Sequence, residues 1–86
     1  MKRVELKNDC YKEIYYYNEY NLKYNIIYYN SSGKPHKLGG PASIWYNESK
    51  EIVSKYYWIN GKHYSYKTYN KQPEVIKYRK KLKITK

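Results

Sequence analysis

Two histidines, His36 and His63, one cysteine, Cys10, and seven scattered carboxylates are the residues of this 86-residue chain with the chemistry to move a proton, hold a metal or form a thiolate. Their spacing argues against each use. His36 sits in "GKPHKLGG" with no serine or cysteine arranged around it, and His63 follows a turn; an isolated histidine at a turn ordinarily serves structure or solvent rather than acid–base catalysis. The acids form neither a pair nor a cluster of the kind that binds a divalent ion. One cysteine and two distant histidines do not make a zinc site. "GKPHKLGG" has glycines and lysines but lacks the P-loop spacing and a following helix, so it reads as a loop. Cys10 has Lys12 nearby, yet a spare reduced thiol is the simpler reading. The chain is therefore expected to have no catalytic residue, no metal and no cofactor.

What remains is aromatic and cationic. There are 15 Tyr and 2 Trp but no Phe, and 18 Lys and Arg stand against 7 Asp and Glu, a formal charge of +11. Codons rich in A and T supply Lys, Asn, Ile and Tyr, but they also supply Phe, so codon bias alone does not account for this composition. Such a charge attracts polyanions and acidic partners. Aromatic residues interleaved with lysine permit base stacking with phosphate neutralisation, and Tyr15, Tyr17, Tyr29, Trp45 and Tyr57 form the set for that use. Tyr and Trp equally dominate protein interfaces, because they bury large areas with few rotors. The candidate partner-binding residues are Tyr57, Lys55, Lys62, Tyr29, Trp45 and Tyr17.

The elements that must position these residues follow from length and period. The chain allows one small domain, residues 1–86, without a second core. No stretch approaches the length of a membrane span, and "MKRVELKNDC" has charges with no apolar run after them. A soluble intracellular protein, with Cys10 reduced, is expected. "RVELK" alternates, with Val4 and Leu6 on one side. "LKYNIIY" places Leu22, Tyr24, Ile26 and Tyr28 on one face and Lys23 and Asn25 on the other. "PASIWYN" and "EIVSKYYWIN" are also β-prone. Asn18, Asn30, Asn47 and Asn60 each follow an apolar or aromatic run, at spacings that fit strand, turn and returning strand. "NG" at 60–61 is the strongest turn, and Gly33 should take the left-handed position in "NSSG".

Beyond the last turn the alternation stops. Ser65 is a candidate helix N-cap for a turn through Tyr69, and Pro73 and Glu74 suit a helix start. Val75, Tyr78, Arg79 and Leu82 then share a face, with Lys77, Lys80 and Lys81 opposite; a closing strand at "KLKIT" is the rival. The predicted fold is mainly β (α+β): one antiparallel β-meander of four to six short strands over about residues 3–64, with a short C-terminal helical segment over about 66–83. In "YYWINGKHYS", Tyr56 and Trp58 share one face and Tyr57 and Ile59 the other. The larger Trp58 is expected in the core, which leaves Tyr57, near Lys55 and Lys62, facing a partner.

"GKPHKLGGPASIWYN" followed by "YYWINGKHYS" resembles the MORN-like repeats "NGK.HR..GPA" of phage, giant-virus and bacterial mobile-element proteins. Gly33, Lys34, His36, Gly40, Pro41 and Ala42 match one unit, and Asn60, Gly61 and Lys62 begin the next. The likeness spans roughly residues 26–69. It departs at Gly39, where an acid is usual, and at Lys37. In the second unit His63 comes one position early, which on a strand turns it to the opposite face. The resemblance implies a β-meander scaffold without catalytic residues, serving as an interaction or antitoxin-like module. Together with small size, aromatic content and charge it points to a non-enzymatic inhibitor of a host defence complex, such as a CRISPR nuclease, that binds a protein or ribonucleoprotein. A charge of +11 excludes simple nucleic-acid mimicry, so the inhibitor would grip an acidic protein surface or the RNA or DNA itself. A free nucleic-acid-binding module is the alternative.

Overall fold

A computed structural model describes residues 1–17 and 22–84. Six strands run in chain order across one antiparallel sheet: β1 (Lys2–Glu5), β2 (Tyr11–Tyr17), β3 (Leu22–Tyr29), β4 (Ser43–Tyr46), β5 (Ile52–Ile59) and β6 (Lys62–Tyr64). A one-turn helix α1 (Tyr66–Tyr69) and a longer α2 (Pro73–Ile84) follow. This is the meander with a short C-terminal helix that period and turn residues predict. "KLKIT" continues α2 as far as Ile84 and forms no closing strand.

The asparagines earn their spacing in the turns. Asn30 Oδ1 accepts from the amides of Ser32 (2.9 Å) and Lys34 (3.0 Å), and Asn47 Oδ1 accepts from those of Ser49 (2.9 Å) and Glu51 (3.0 Å). Backbone bonds repeat as well, from Gly33 N to Asn30 O and from Lys50 N to Asn47 O, both 3.0 Å. The same side-chain device thus reverses the chain after β3 and after β4. Asn60 and Gly61 make a tighter turn with φ of 47° and 85°, the mirror-image hairpin geometry that "NG" favours. Asn18, the remaining member of the series, lies outside the described residues.

The two longer turns differ at their left-handed position, which is Gly33 (φ 76°) in one and Lys50 (φ 67°) in the other. A side chain there costs about 1 kcal/mol, so Lys50→Gly is expected to raise the melting temperature. Gly61→Val should lower it by the equivalent of about 1–3 kcal/mol, because a β-branched residue is strained at positive φ and its Cβ would meet Lys34 Cδ at 3.3 Å. Thermal unfolding of the two variants checks both signs.

Register sorts side chains onto two faces. Lys2, Ile14, Ile26, Ile44 and Lys55 are cross-strand neighbours in one row, with Ile14 and Ile26 buried. On the same face, nearer the end of the sheet, Ile59 packs with Tyr69 of α1 and Val75 of α2, and Leu38, Tyr57 and Tyr64 pack around them. The helices therefore lie on this face. Ser65 caps α1 by accepting from Thr68 N. On α2, Val75 is buried and Tyr78 half-buried, while Lys77, Lys80 and Lys81 are exposed.

Two expectations are corrected. Trp58 does not anchor the core; it pairs with His63 on the helix-free face, and Tyr57 lies beneath α1, its ring 4.8 Å from that of Tyr69 and 5.1 Å from that of Tyr66. The hairpin is inverted because Ile59, at its end, is the residue the helices cover, and Tyr57 shares its parity. Nor does "LKYNIIY" keep one alternation. A register shift between Tyr15 and Tyr16 leaves Tyr24 as an extra residue opposite them. Its ring then sits 6.2 Å from that of Tyr15 and 6.1 Å from that of Trp45, with the other face's aromatics. A smaller difference concerns Leu6, which falls beyond the end of β1 and is exposed.

Candidate functional site

The segment "GKPHKLGGPA" carries most of the resemblance, and its parts have structural tasks. After the turn at Asn30, the chain re-enters alongside β3 by a bridge between Tyr29 and Pro35 and a bond from His36 N to Tyr28 O (3.0 Å). It then leaves the sheet plane towards the helices. Tyr69, 0% exposed, places its hydroxyl 2.5 Å from Lys37 O and 3.0 Å from Gly40 O, fastening this excursion to α1. Leu38 enters the core beside Tyr69, and the ring of Tyr78 lies where a Cβ on Gly39 would be only 3.1 Å from it. An acid at position 39 would be driven into that ring. Ala42, fully buried, then takes up the sheet ladder, its N donating to Tyr56 O and its O accepting from Tyr28 N.

His36 performs a second fastening. Its Nδ1 accepts from Asn60 N at 3.0 Å, Asn30 Nδ2 donates to Asn60 Oδ1 at 3.0 Å, and Gly61 N donates to Pro35 O at 2.9 Å. The β5–β6 turn is thereby docked on the loop after β3. The histidine is a structural acceptor, as its isolation suggests, and His63 on the opposite side of the hairpin takes no part in this docking; its ring lies against Trp58 (5.0 Å) and Tyr56 (5.8 Å).

Burial holds His36 below the ordinary 6.5, with Glu74 opposing weakly, and an Nδ1 that accepts a bond cannot also carry a proton. The unfolded chain then binds more protons than the folded one in the interval between the lowered value and 6.5. Stability from this group is complete above 6.5 and is lost as pH falls through that interval. Wild-type protein is expected to lose melting temperature from about pH 7 to about pH 5 more steeply than His36→Gln. Parallel profiles for the two proteins would remove the proton from the explanation.

The helix-free face is the feature with the character of a binding surface. Tyr15, Asn25, Trp45 and Ser54 form one cross-strand row and Arg3, Glu13, Ile27, Ser43 and Tyr56 the next. Beyond them lie Tyr11 and Tyr29, stacked at 5.0 Å, and Trp58 with His63. Trp45 is 38% and Tyr56 42% exposed. Asn25 and Ser43 are buried between these aromatic groups and bond to each other at 3.5 Å.

Charge on this face is small and mutually engaged. Tyr15 Oη donates to Glu13 Oε1 at 2.9 Å, and that bond, then burial, raises its pKa. Burial and a hydrogen bond with the same carboxylate push Tyr29 up to about 12, so both phenols stay protonated and Glu13 is covered by donors. Arg3 pairs with Glu5 at 2.6 Å and lies 3.8 Å over the Tyr11 ring. Every strand lysine with a described side chain, Lys2, Lys12, Lys55 and Lys62, is on the other face by register, whereas both described strand acids, Glu5 and Glu13, are on this one.

The residues singled out from sequence are thus divided. Trp45 and Tyr29 lie on the aromatic face together with Tyr15. Tyr57, Lys55 and Lys62 lie on the helix-bearing face, with Lys62 Nζ 5.4 Å from the Tyr64 ring. Tyr17 ends β2, and its side chain lies outside the described residues. Tyr24, Tyr56 and Trp58 belong with Trp45 and Tyr29 but were not in the sequence-derived set. Parity with Trp45 across β4 and β5 was the signal for Tyr56, and only the bulge could have revealed Tyr24.

No family model, curated protein or solved structure matches the chain. The resemblance to repeat proteins rests on the quoted residues alone, and of these His36, Gly40, Asn60 and Gly61 act here as fasteners of loop, turn and helix. Among the described residues no group of histidine, cysteine and carboxylate side chains is arranged to hold a metal. Among the same residues no helix is long and apolar enough to cross a membrane.

Proposed function

We propose that this chain is a non-enzymatic interaction protein that binds a protein partner through the aromatic face of its sheet, and that by occupying this partner it acts as an inhibitor of phage or mobile-element type directed at a host defence complex. The observation that carries the binding reading is the separation of chemistries: exposed Trp45 and Tyr56, with Trp58, Tyr15 and Tyr24 about them, share a face with no described strand lysine. Aromatic area with paired polar groups suits the desolvated centre of a protein interface. A nucleic-acid platform would instead need unpaired cations flanking its stacking rings; Arg3 on this face is paired with Glu5, and the strand lysines with described side chains are on the opposite side. The inhibitor role draws on the resemblance of residues 33–42 and 60–62 to mobile-element proteins and on a small, turn-fastened scaffold whose rigidity limits the entropy lost on binding.

Capture from bacterial lysate before and after nuclease treatment tests the reading. A defence-complex subunit retained after nuclease, and lost with Trp45→Ala plus Tyr56→Ala, is the expected result. A partner that disappears with the nucleic acid, or that ignores the double substitution, would overturn binding through this face.

A further inference from the structure

The helix-bearing side has the opposite character. α2 turns Val75 into the core and exposes Lys77, Lys80 and Lys81, at i, i+3 and i+4, on its outer arc. Lys67 on α1 and Lys71 between the helices are exposed as well, and Glu74 is the one carboxylate on either helix. Lys55 and Lys62 extend the charge onto β5 and β6, and Lys2, in the same cross-strand row as Lys55, carries it to the far edge, about 19 Å away by strand spacing. Neutralising cations spread this widely and so little paired requires a ligand with a continuous line of charge, and a nucleic-acid strand supplies one phosphate per ~3.4 Å.

We infer that this side binds the phosphate backbone of nucleic acid without reading its sequence, independently of whatever the aromatic face binds. Backbone binding suits the residue types: lysines serve as point charges, and the outer arc of α2 carries no aromatic ring to stack on a base. An anionic membrane is disfavoured because the helix directs Val75 and Tyr78 towards the protein, and its exposed apolar residues, Ile76 and Leu82, fall on different arcs of the helix and form no continuous apolar face to insert. A protein with these two sides would grip a nucleoprotein complex by both of its components.

The test is fluorescence anisotropy with labelled oligothymidylate and a mixed-sequence duplex across a salt series. Both ligands should bind, with affinity falling linearly on a log–log plot against salt. The combined Lys77→Glu, Lys80→Glu and Lys81→Glu variant should lose about tenfold or more in affinity and show a shallower slope by about two to three. The Trp45→Ala plus Tyr56→Ala protein should bind as wild type, which separates this surface from the aromatic one. Should the helix variant fail to fold by circular dichroism, Lys55→Glu with Lys62→Glu serves instead, and it too should weaken binding. Absence of binding at low salt, unchanged affinity in a folded charge-reversed variant, or binding to phosphatidylserine vesicles but not to either oligonucleotide would each overturn the inference.

Discussion

Tyr69→Phe is expected to destabilise the protein by about 1–3 kcal/mol, although it removes a single oxygen. That oxygen lies against two backbone carbonyls, of Lys37 and Gly40, in the excursion that the chain makes between β3 and β4. With phenylalanine, both carbonyls keep their half-buried surroundings and lose this donor, so the variant bears part of the desolvation cost of unsatisfied acceptors as well as the loss of a bond. Burial raises the phenol's pKa and keeps it a donor through the neutral range. Tyr69→Ala should cost more, about 3–5 kcal/mol, since the ring is 0% exposed and packs with Ile59, Val75 and Tyr57. In a domain of this size each kcal/mol moves the melting temperature by about 4–8 °C. A Phe variant that melts with the wild type would show that the hydroxyl does not hold the loop; an Ala variant that does so would move the core away from α1.

Tyr69 also shows where sequence reading stops. The strands were legible because turn chemistry is local: Asn30, Asn47 and Gly61 dictate reversals through their own side chains and φ values, whatever lies elsewhere. The N-cap Ser65 and the start of α2 at Pro73 were legible for the same reason. By contrast, the partner of Tyr69 is a loop some thirty residues earlier, and nothing in "YKTY" marks one tyrosine as the buried one. The choice between the two sides of β5 was equally non-local. Tyr57 and Trp58 alternate whichever side the helices cover, and size favours tryptophan as the core residue. The tie is broken by Ile59, which meets Tyr69 and Val75. Tyr24 eluded the alternation because a bulge is a register event between two strands and leaves no mark in either alone. Charge segregation became visible only once register had been assigned, since the lysines of β1, β2, β5 and β6 are unrelated in sequence and share a face only through strand pairing.

Trp45→Ala and Tyr56→Ala are expected to leave the melting temperature within a few degrees of wild type and each to weaken partner binding by about 2 kcal/mol or more, a factor of about thirty in Kd. Both side chains are substantially exposed before binding, so truncation leaves little cavity in the free protein, while a partner that buries them would lose their full apolar area. Tyr57→Ala should behave oppositely. Its ring is wedged against Tyr66 and Tyr69, burial raises its pKa, and its removal opens a void under α1 that should cost about 3 kcal/mol. The fraction that remains folded should still bind with unchanged Kd, because Tyr57 and the aromatic face are separated by the thickness of the sheet. The pair of measurements, unfolding and titration with the captured partner, therefore distinguishes a face from a single residue. If Tyr57→Ala melts normally and loses the partner while Trp45→Ala and Tyr56→Ala bind normally, recognition belongs to the helix-bearing side, and the aromatic face needs another explanation for its exposed rings.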